Sequence, residues 1–375
     1  MKAWARRIGF VLALTFLVLT FVNASWLAES PRGYVKLVAQ RGLMQLPGGD
    51  AAGDCVTRAI EPPVHDFIEN TLPALAQAKR LGAQMIAVDI APTADGRFVL
   101  FRDAALDCRT DGKGPVSAQT LAQLQALDAG FGYSPDGGRT YPLRGMGQGL
   151  IPSLEDALAT AGDTALLFNL RFADATSATR FVTALQAAGR DPVALGDGFS
   201  GPDEALAPLR AAWPSALAHS EAQAQACTRA YLWQGWLGLT PAACRNSMIA
   251  IPLNRQWAFA GWPNRLQARM AAAGAKVMLV GPMAGDKPRG LDLPEQVGDI
   301  PASFTGYAWV DDLWSVGPAL RRPVLRVLLV GMLLATLDIR LASALLRSLA
   351  LAVLARRRSR TPSSCCPCID SSSTP

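Results

Sequence analysis

From residue 36 to residue 310, short apolar runs of strand length keep alternating with segments of helical period. That alternation constrains the fold more than any other feature of the chain. Strand candidates lie at 36–40, 85–90, 98–101, 165–170, 193–195, 215–219, 248–253, 276–280 and 307–310. Helical patterns fall between them at 71–81, 118–127, 175–188, 203–212 and 265–273, and Ser153 reads as the cap of a further helix. Repeated strand–helix units call for a parallel sheet. It can be closed as an eight-stranded barrel or left open, and the pattern alone does not choose. Two loop-rich stretches, 42–68 and 107–149, would lie over the C-terminal mouth of such a sheet, where sites form.

Within this frame the stretch 82–103 stands out. An apolar run carries one acid, Asp89. A turn at Ala94-Asp95-Gly96 follows, then a second apolar run ending on Arg102-Asp103. Two strands joined by an Asp-Gly turn are expected. A carboxylate inside a strand is costly unless partnered, and at the mouth of a barrel the partner would be a metal or a ligand.

Motifs in this region resemble the glycerophosphodiester phosphodiesterase family. They are Gln40-Arg41-Gly42, Glu69-Asn70-Thr71, Val88-Asp89-Ile90, Thr93-x-Asp95-Gly96 and Phe101-x-Asp103, followed by 106–114, 141–145 and 151–155. The resemblance runs from about residue 36 to about residue 313 with order and spacing kept. It implies an α/β fold, a TIM-type (β/α)8 barrel of the phosphodiesterase kind preceded by an N-terminal hydrophobic segment. It also implies metal-dependent hydrolysis of glycerophosphodiesters to an alcohol and glycerol phosphate, with Mg²⁺ or Ca²⁺ as cofactor.

Hydrolysing a phosphodiester takes a cation to neutralise phosphate charge, a base for the nucleophile and an acid for the leaving alcohol. The family uses two histidines for the acid and base. Those positions are Gln40 and Arg102 here, and neither side chain can shuttle a proton at working pH. The family's Glu-x-Asp metal pair is Ala87-x-Asp89, so one ligand is missing. Asn169 and Arg171 stand where a second metal Glu and a phosphate-binding Lys are expected. The remaining metal candidates are Asp89, Asn169 and Glu69, with Asp103 beside them. Arg41 and Arg171 are the phosphate-binding candidates, and Arg102 adds a third cation. The expectation is an anion-binding mouth with impaired chemistry, or a pseudoenzyme that binds a phosphate-bearing ligand without turnover. Asn70 is expected to cap the first helix. Only His65 and His219 exist as imidazoles, and either could reach the mouth. Trp233, Trp236, Trp257 and Trp262 read as core, with a pocket lining as the alternative.

The ends differ from the middle. The net charge of +6 belongs to them: residues 1–35 carry four Lys/Arg against one acid and 321–375 nine against two, while the middle has 23 against 27. No basic, aromatic-interleaved face points to nucleic acid. Lys2, Arg6 and Arg7 precede an apolar run from Ile8 to Val22, the pattern of an export signal or of an uncleaved anchor. The protein is thus expected on the periplasmic side of the bacterial inner membrane, anchored or secreted, with that segment as its membrane partner. Expected boundaries are 1–28 for this segment, 29–320 for the barrel, 321–355 for an apolar, basic helical extension that lies on a membrane or packs loosely, a second membrane span being the alternative, and 356–375 for a disordered tail. Export permits disulfides. Cys55 with Cys108 and Cys227 with Cys244 are the pairings preferred among three, free thiols being the alternative. Cys365, Cys366 and Cys368 lie in the tail.

Overall fold

A computed structural model of the chain describes residues 2–48, 55–283 and 289–320. The expectations for 321–375 fall outside the described residues. Eight parallel strands form the barrel: β1 (Lys36–Gln40), β2 (Met85–Pro92), β4 (Ala165–Leu170), β5 (Gly198–Ser200), β6 (Leu217–His219), β7 (Met248–Pro252), β8 (Lys276–Val280) and β9 (Tyr307–Val310). The short β3 (Phe98–Leu100) runs antiparallel against β2, as the Asp-Gly turn requires. The hydrogen-bonded order is β6-β5-β4-β2-β1-β9-β8-β7, which leaves one seam, between β6 and β7.

A helix closes that seam. Residues Glu221–Gln234 form a helix that the sequence reading omits. Its polar and apolar residues follow no clear stripe, so periodicity gives no signal there. Ala224 of this helix packs against the barrel interior of Val38, Met85, Ala87, Leu167, Leu217, Met248, Met278 and Val280. Thr228 Oγ1 accepts from the amide of Ala250, a strand donor with no ladder partner on that side.

The local chemistry of each element is legible in its ends. Thr71 Oγ1 accepts from Ala74 N and caps the helix Leu72–Arg80, and Ser153 caps Leu154–Ala161. Asn70 is therefore not the cap; it adopts a left-handed φ of 58° instead. Residues 193–195, read as a strand, are helical. Asp191 caps two amides, Pro192 opens the turn and Gly196 ends it, and the barrel strand follows at Gly198–Ser200. A stack of Phe168, Phe199 and Trp213, with Phe181 edge-on, fixes the outer layer of β4 and β5. The long insertion carries its own core of Leu106, Val116, Leu124, Tyr133, Leu143 and Ile151, seated on Val99 and Phe101. A disulfide from Cys55 to Cys108 ties the first loop to this insertion, and Cys227 is joined to Cys244. Of the four tryptophans read as core, Trp233 and Trp257 are instead exposed, at 61% and 80%, while Trp236 and Trp262 are half-buried, Trp262 against Phe304.

Candidate anion site at the barrel mouth

Gly42 sets the starting geometry. It has φ +80°, and a Cβ there would sit 2.8 Å from the carbonyl carbon of Ala74. Only glycine lets the chain leave β1 so close to the helix Leu72–Arg80. Arg41 before it is held at φ 54°. Its amide donates to Ala87 O at 2.8 Å and its carbonyl accepts from Asn70 N at 2.9 Å. Two non-glycine residues in left-handed backbone thus lean on one another at the mouth, a strain that the surrounding structure must support.

From these positions side chains converge on Asp89, which has no exposed surface. Arg41 Nε donates to Asp89 Oδ2 at 2.7 Å, and Asn70 Nδ2 to the same oxygen at 3.0 Å. Arg171 Nε and Nη2 reach Asp89 Oδ1 at 2.8 and 2.6 Å. Asp89 N in turn donates to Asn70 Oδ1 at 3.1 Å, so Asn70 satisfies the backbone and the side chain of one residue. Burial alone would push this carboxyl up. The guanidiniums of Arg41 and Arg171 and the Asn70 amide overcome that and hold it down at about 2.

A second layer adjoins the first. Glu69 Oε1 accepts from Arg109 Nη1 at 2.7 Å and from Arg41 Nη1 at 3.3 Å. Arg109 Nε donates to Asp103 Oδ2 at 3.0 Å, and its Nη1 also donates to the hydroxyl of Tyr133. Arg109 is 4% exposed. It stays a cation despite its burial, because Glu69 and Asp103 face it. Arg102 is different. Among the described residues its ion pair is with Asp103, at a long 3.6 Å. Burial and the neighbouring Arg41 lower its proton affinity, with Asp103 opposing and Arg109 adding to the repulsion. A guanidinium packed among like charges with open donors is suited to receive an anion.

These groups open on two adjoining hollows. One, of 620 Å³, is lined by Gln40, Arg41, Glu69, Arg102, Arg109 and His219, among others. The other, of 830 Å³, is lined by Asn169, Arg171 and Ser200 and shares Gln40 and Arg41 with the first. Gln40, Arg41, Asp89, Arg102, Asn169 and Arg171 are therefore brought together. Gln40 Oε1 accepts from Trp309 Nε1 at 3.2 Å, and that indole also donates to Asp311 Oδ1 at 3.1 Å. Burial raises the proton affinity of Asp311 against its bonds from Gly290 and Trp309.

The two histidines part company. His65 Nδ1 sits 3.1 Å from Gln45 Nε2 and accepts from Phe67 N at 3.2 Å, with its ring between Phe67 and Trp314, which makes it a loop staple. His219, at the end of β6, is 5% exposed and lines the hollow. Its Nδ1 is buried with no partner. Burial, with Arg210 nearby, lowers it to about 4, so the ring is neutral at physiological pH.

The resemblance implies a divalent cation. Such an ion wants several oxygens, mostly charged and free to coordinate. Here both oxygens of Asp89 and Oε1 of Glu69 are taken by cationic or amide donors. Among the described residues no group of three or more His, Cys, Asp or Glu is arranged to hold an ion. As the side chains stand, the donor set does not fit a divalent cation. Sequence reasoning missed Arg109 and Tyr133 as site residues. Arg109 lies inside a quoted motif and beside Cys108, a usable signal; for Tyr133 the sequence carries none.

Comparison with known proteins agrees with this barrel. Residues 63–197 match the model of the Glycerophosphoryl diester phosphodiesterase family. A stretch of 107 residues is 37% identical to the uncharacterized protein Rv2277c of Mycobacterium tuberculosis, covering 28% of this chain and 35% of that one. A glycerophosphodiester phosphodiesterase of Caldanaerobacter subterraneus is 36% identical over 104 residues, 27% of this chain and 38% of the relative. The matched stretch thus spans about a third of these relatives' length. Among solved structures, the glycerophosphoryl diester phosphodiesterase domain of Rv2277c superposes with a TM-score of 0.52 at 19% identity, covering 77% of this chain and all of that domain. The glycerophosphodiester phosphodiesterase of Agrobacterium tumefaciens gives 0.50 at 19%, covering 76% and 99%.

Proposed function

We propose that the chain carries a domain of the glycerophosphodiester phosphodiesterase kind, a reading supported by the family match over residues 63–197 and by the likeness of the barrel fold. Its mouth recognises a phosphate-bearing ligand, a small phosphodiester foremost, and hydrolyses it slowly. Arg41, Arg102 and Arg171 supply the charge for phosphate. Arg41 and Arg171 are aimed by Asp89, and Arg102 offers open donors. Gln40 and Arg102 stand where the family's acid and base would be, so proton transfer is the impaired step. His219 is the imidazole that lines the mouth, and its ring is neutral; its unpartnered Nδ1 is itself buried.

A second reading, binding without turnover, is favoured by one observation. Asp89, the acid that would anchor a metal, is fully buried and locked by two guanidiniums and an amide. In this reading no Mg²⁺ or Ca²⁺ is retained and Asp89 serves to orient arginines. The N-terminal helix supports a periplasmic, membrane-linked location for either reading.

The test is calorimetric titration with sn-glycerol 3-phosphate and glycerophosphocholine, beside turnover of the latter with added Mg²⁺ or Ca²⁺. Saturable binding lost in Arg102→Ala is expected. Turnover should be low and rise in the triple variant Gln40→His/Ala87→Glu/Arg102→His. Wild-type turnover abolished by Asp89→Ala would sink the binding-only reading. Absence of binding by either compound would sink the site.

A further inference from the structure

The apolar helix Lys2–Val22 is long enough to cross a membrane over Trp4–Val22, and it is exposed along that length. Its C-terminal end is not free. Asn23, 5% exposed, uses its whole side chain there. Nδ2 donates to Leu19 O at 2.8 Å and to Trp236 O at 2.9 Å, and Oδ1 accepts from Arg269 Nη2 at 2.8 Å. Arg269 Nη1 in turn donates to Gly235 O at 3.0 Å and to the hydroxyl of Tyr231 at 3.2 Å. Ser25 Oγ accepts from Asn264 N at 3.0 Å, and Ser30 Oγ from Asn264 Nδ2 at 3.0 Å. The stretch that an export protease would cut is therefore bonded into the barrel wall.

The wall at that point is unusually apolar and open. From Ala230 to Cys244 the chain has no charged residue. Trp233, Leu237 and Leu239 are 61%, 58% and 55% exposed, and Trp26 just past the helix is 71% exposed. Gly238, with φ +79°, makes the turn that sets Leu237 and Leu239 on its two sides. The disulfide Cys227–Cys244 closes the segment into a fixed loop. Arg229 and Arg245 flank it, both exposed. Exposed tryptophan and leucine with basic neighbours, continuous with a membrane-length helix, match the chemistry of the lipid–water interface. In water such a patch would be a liability.

We propose that the N-terminal helix is retained as an anchor, and that Asn23 clamps it so that Trp26, Trp233, Leu237 and Leu239 rest in the bilayer interface. The occupant of this face is lipid. The barrel is then held at a set orientation on the membrane rather than swinging on a tether. This inference stands apart from the mouth and its ligand.

The test uses the full chain in phosphatidylcholine–phosphatidylglycerol vesicles, with the photoreactive benzoylphenylalanine placed at one position at a time. Substituting Leu237 or Leu239 should give lipid adducts at a yield comparable to Phe16 within the helix. The yield should be at least several-fold above Val193, which is 45% exposed on a short helix elsewhere. Asn23→Leu should cut the yield at Leu237 and leave that at Phe16 unchanged. N-terminal sequencing of membrane-fraction protein should find the intact helix. A mature start near Ser25, adducts at Leu237 no more abundant than at Val193, or an Asn23→Leu yield equal to wild type would each overturn the proposal.

Discussion

Replacing Asp89 by Asn is the most informative single change. The side chain has no exposed surface, and its two oxygens take two donors from Arg171, one from Arg41 and one from Asn70. Asn keeps the size and removes the charge. Arg41, itself 8% exposed, then faces one fewer acid in a buried setting. Leaving a buried charge without its partner costs about 3–5 kcal/mol. An independent route gives a similar size. A carboxyl held at about 2 in the fold, against 3.8 as the reference value, contributes roughly 2–3 kcal/mol of stability at neutral pH. Because the folded value is the lower one, that stability is fully present above about pH 4 and is lost as pH falls through about 2. For a barrel of this size the variant should melt about 5–10 °C lower. Scanning calorimetry at pH 7 and pH 3, with and without 5–10 mM Mg²⁺ (an amount of about that order saturates weak sites), reads the effect. The wild type should gain nothing from Mg²⁺, and the variant's deficit should shrink at the lower pH. A wild-type melting point raised by Mg²⁺, with the rise absent in Asp89→Asn, would refute the reasoning: Asp89 would then be a metal ligand.

Arg102→Leu should weaken sn-glycerol 3-phosphate binding by about tenfold or more, the worth of a charge-assisted bond, without lowering the melting point, since Arg102 has only a long ion pair to lose. Arg109→Leu should behave in the opposite way. It takes from Glu69 and Asp103 their shortest ion pairs and leaves each only a longer one, to Arg41 and Arg102, so calorimetry should show a loss of about 3 kcal/mol. His219 is held at about 4 by burial, whereas an unfolded imidazole titrates near 6.5. The unfolded chain therefore binds the extra proton first, and stability should decline as pH falls from about 6.5 to about 4. Denaturant midpoints measured across that range should flatten in His219→Gln. Ser substituted for Thr228 should be tolerated, because the hydroxyl that accepts from Ala250 N survives, whereas Thr228→Val should destabilise by about 1–3 kcal/mol in the same assay.

The alternation of strands and helices was legible in the sequence because periodicity and turn chemistry speak locally, whereas closure into a barrel was implied by the family resemblance alone. β1, β4, β8 and β9 lie where apolar runs of the right length occur, and Ser153 caps the helix it precedes. The exceptions are places where a local signal was absent or outvoted. Asp191-Pro192 with Gly196 makes a helical turn out of residues 193–195 whose β-branched start reads as strand. The helix Glu221–Gln234 has no apolar stripe, since it plugs a seam with Ala224 and Thr228 instead of lying on a finished sheet. The site was legible as a set of positions and not as a set of bonds. Strand ends indicate that Gln40, Asp89 and Arg171 meet, because parallel strands bring their C-terminal ends to one mouth, and the antiparallel return of β3 carries Arg102 back beside Asp89. They do not indicate which partner Asp89 takes. That depends on Arg41 and Asn70 adopting left-handed backbone, which neither residue type announces. Once they do, one carboxylate lies within bonding range of two guanidiniums, and the bonds to an ion and to the arginines compete for the same oxygens. With Ala87 in place of a second acid, the arginines win that competition. Relative to the pattern that the resemblance implies, Ala87 removes a negative charge and Arg102 adds a fixed positive one, while Gln40 is neutral; the two charge-changing positions both favour the anion-binding mouth proposed above.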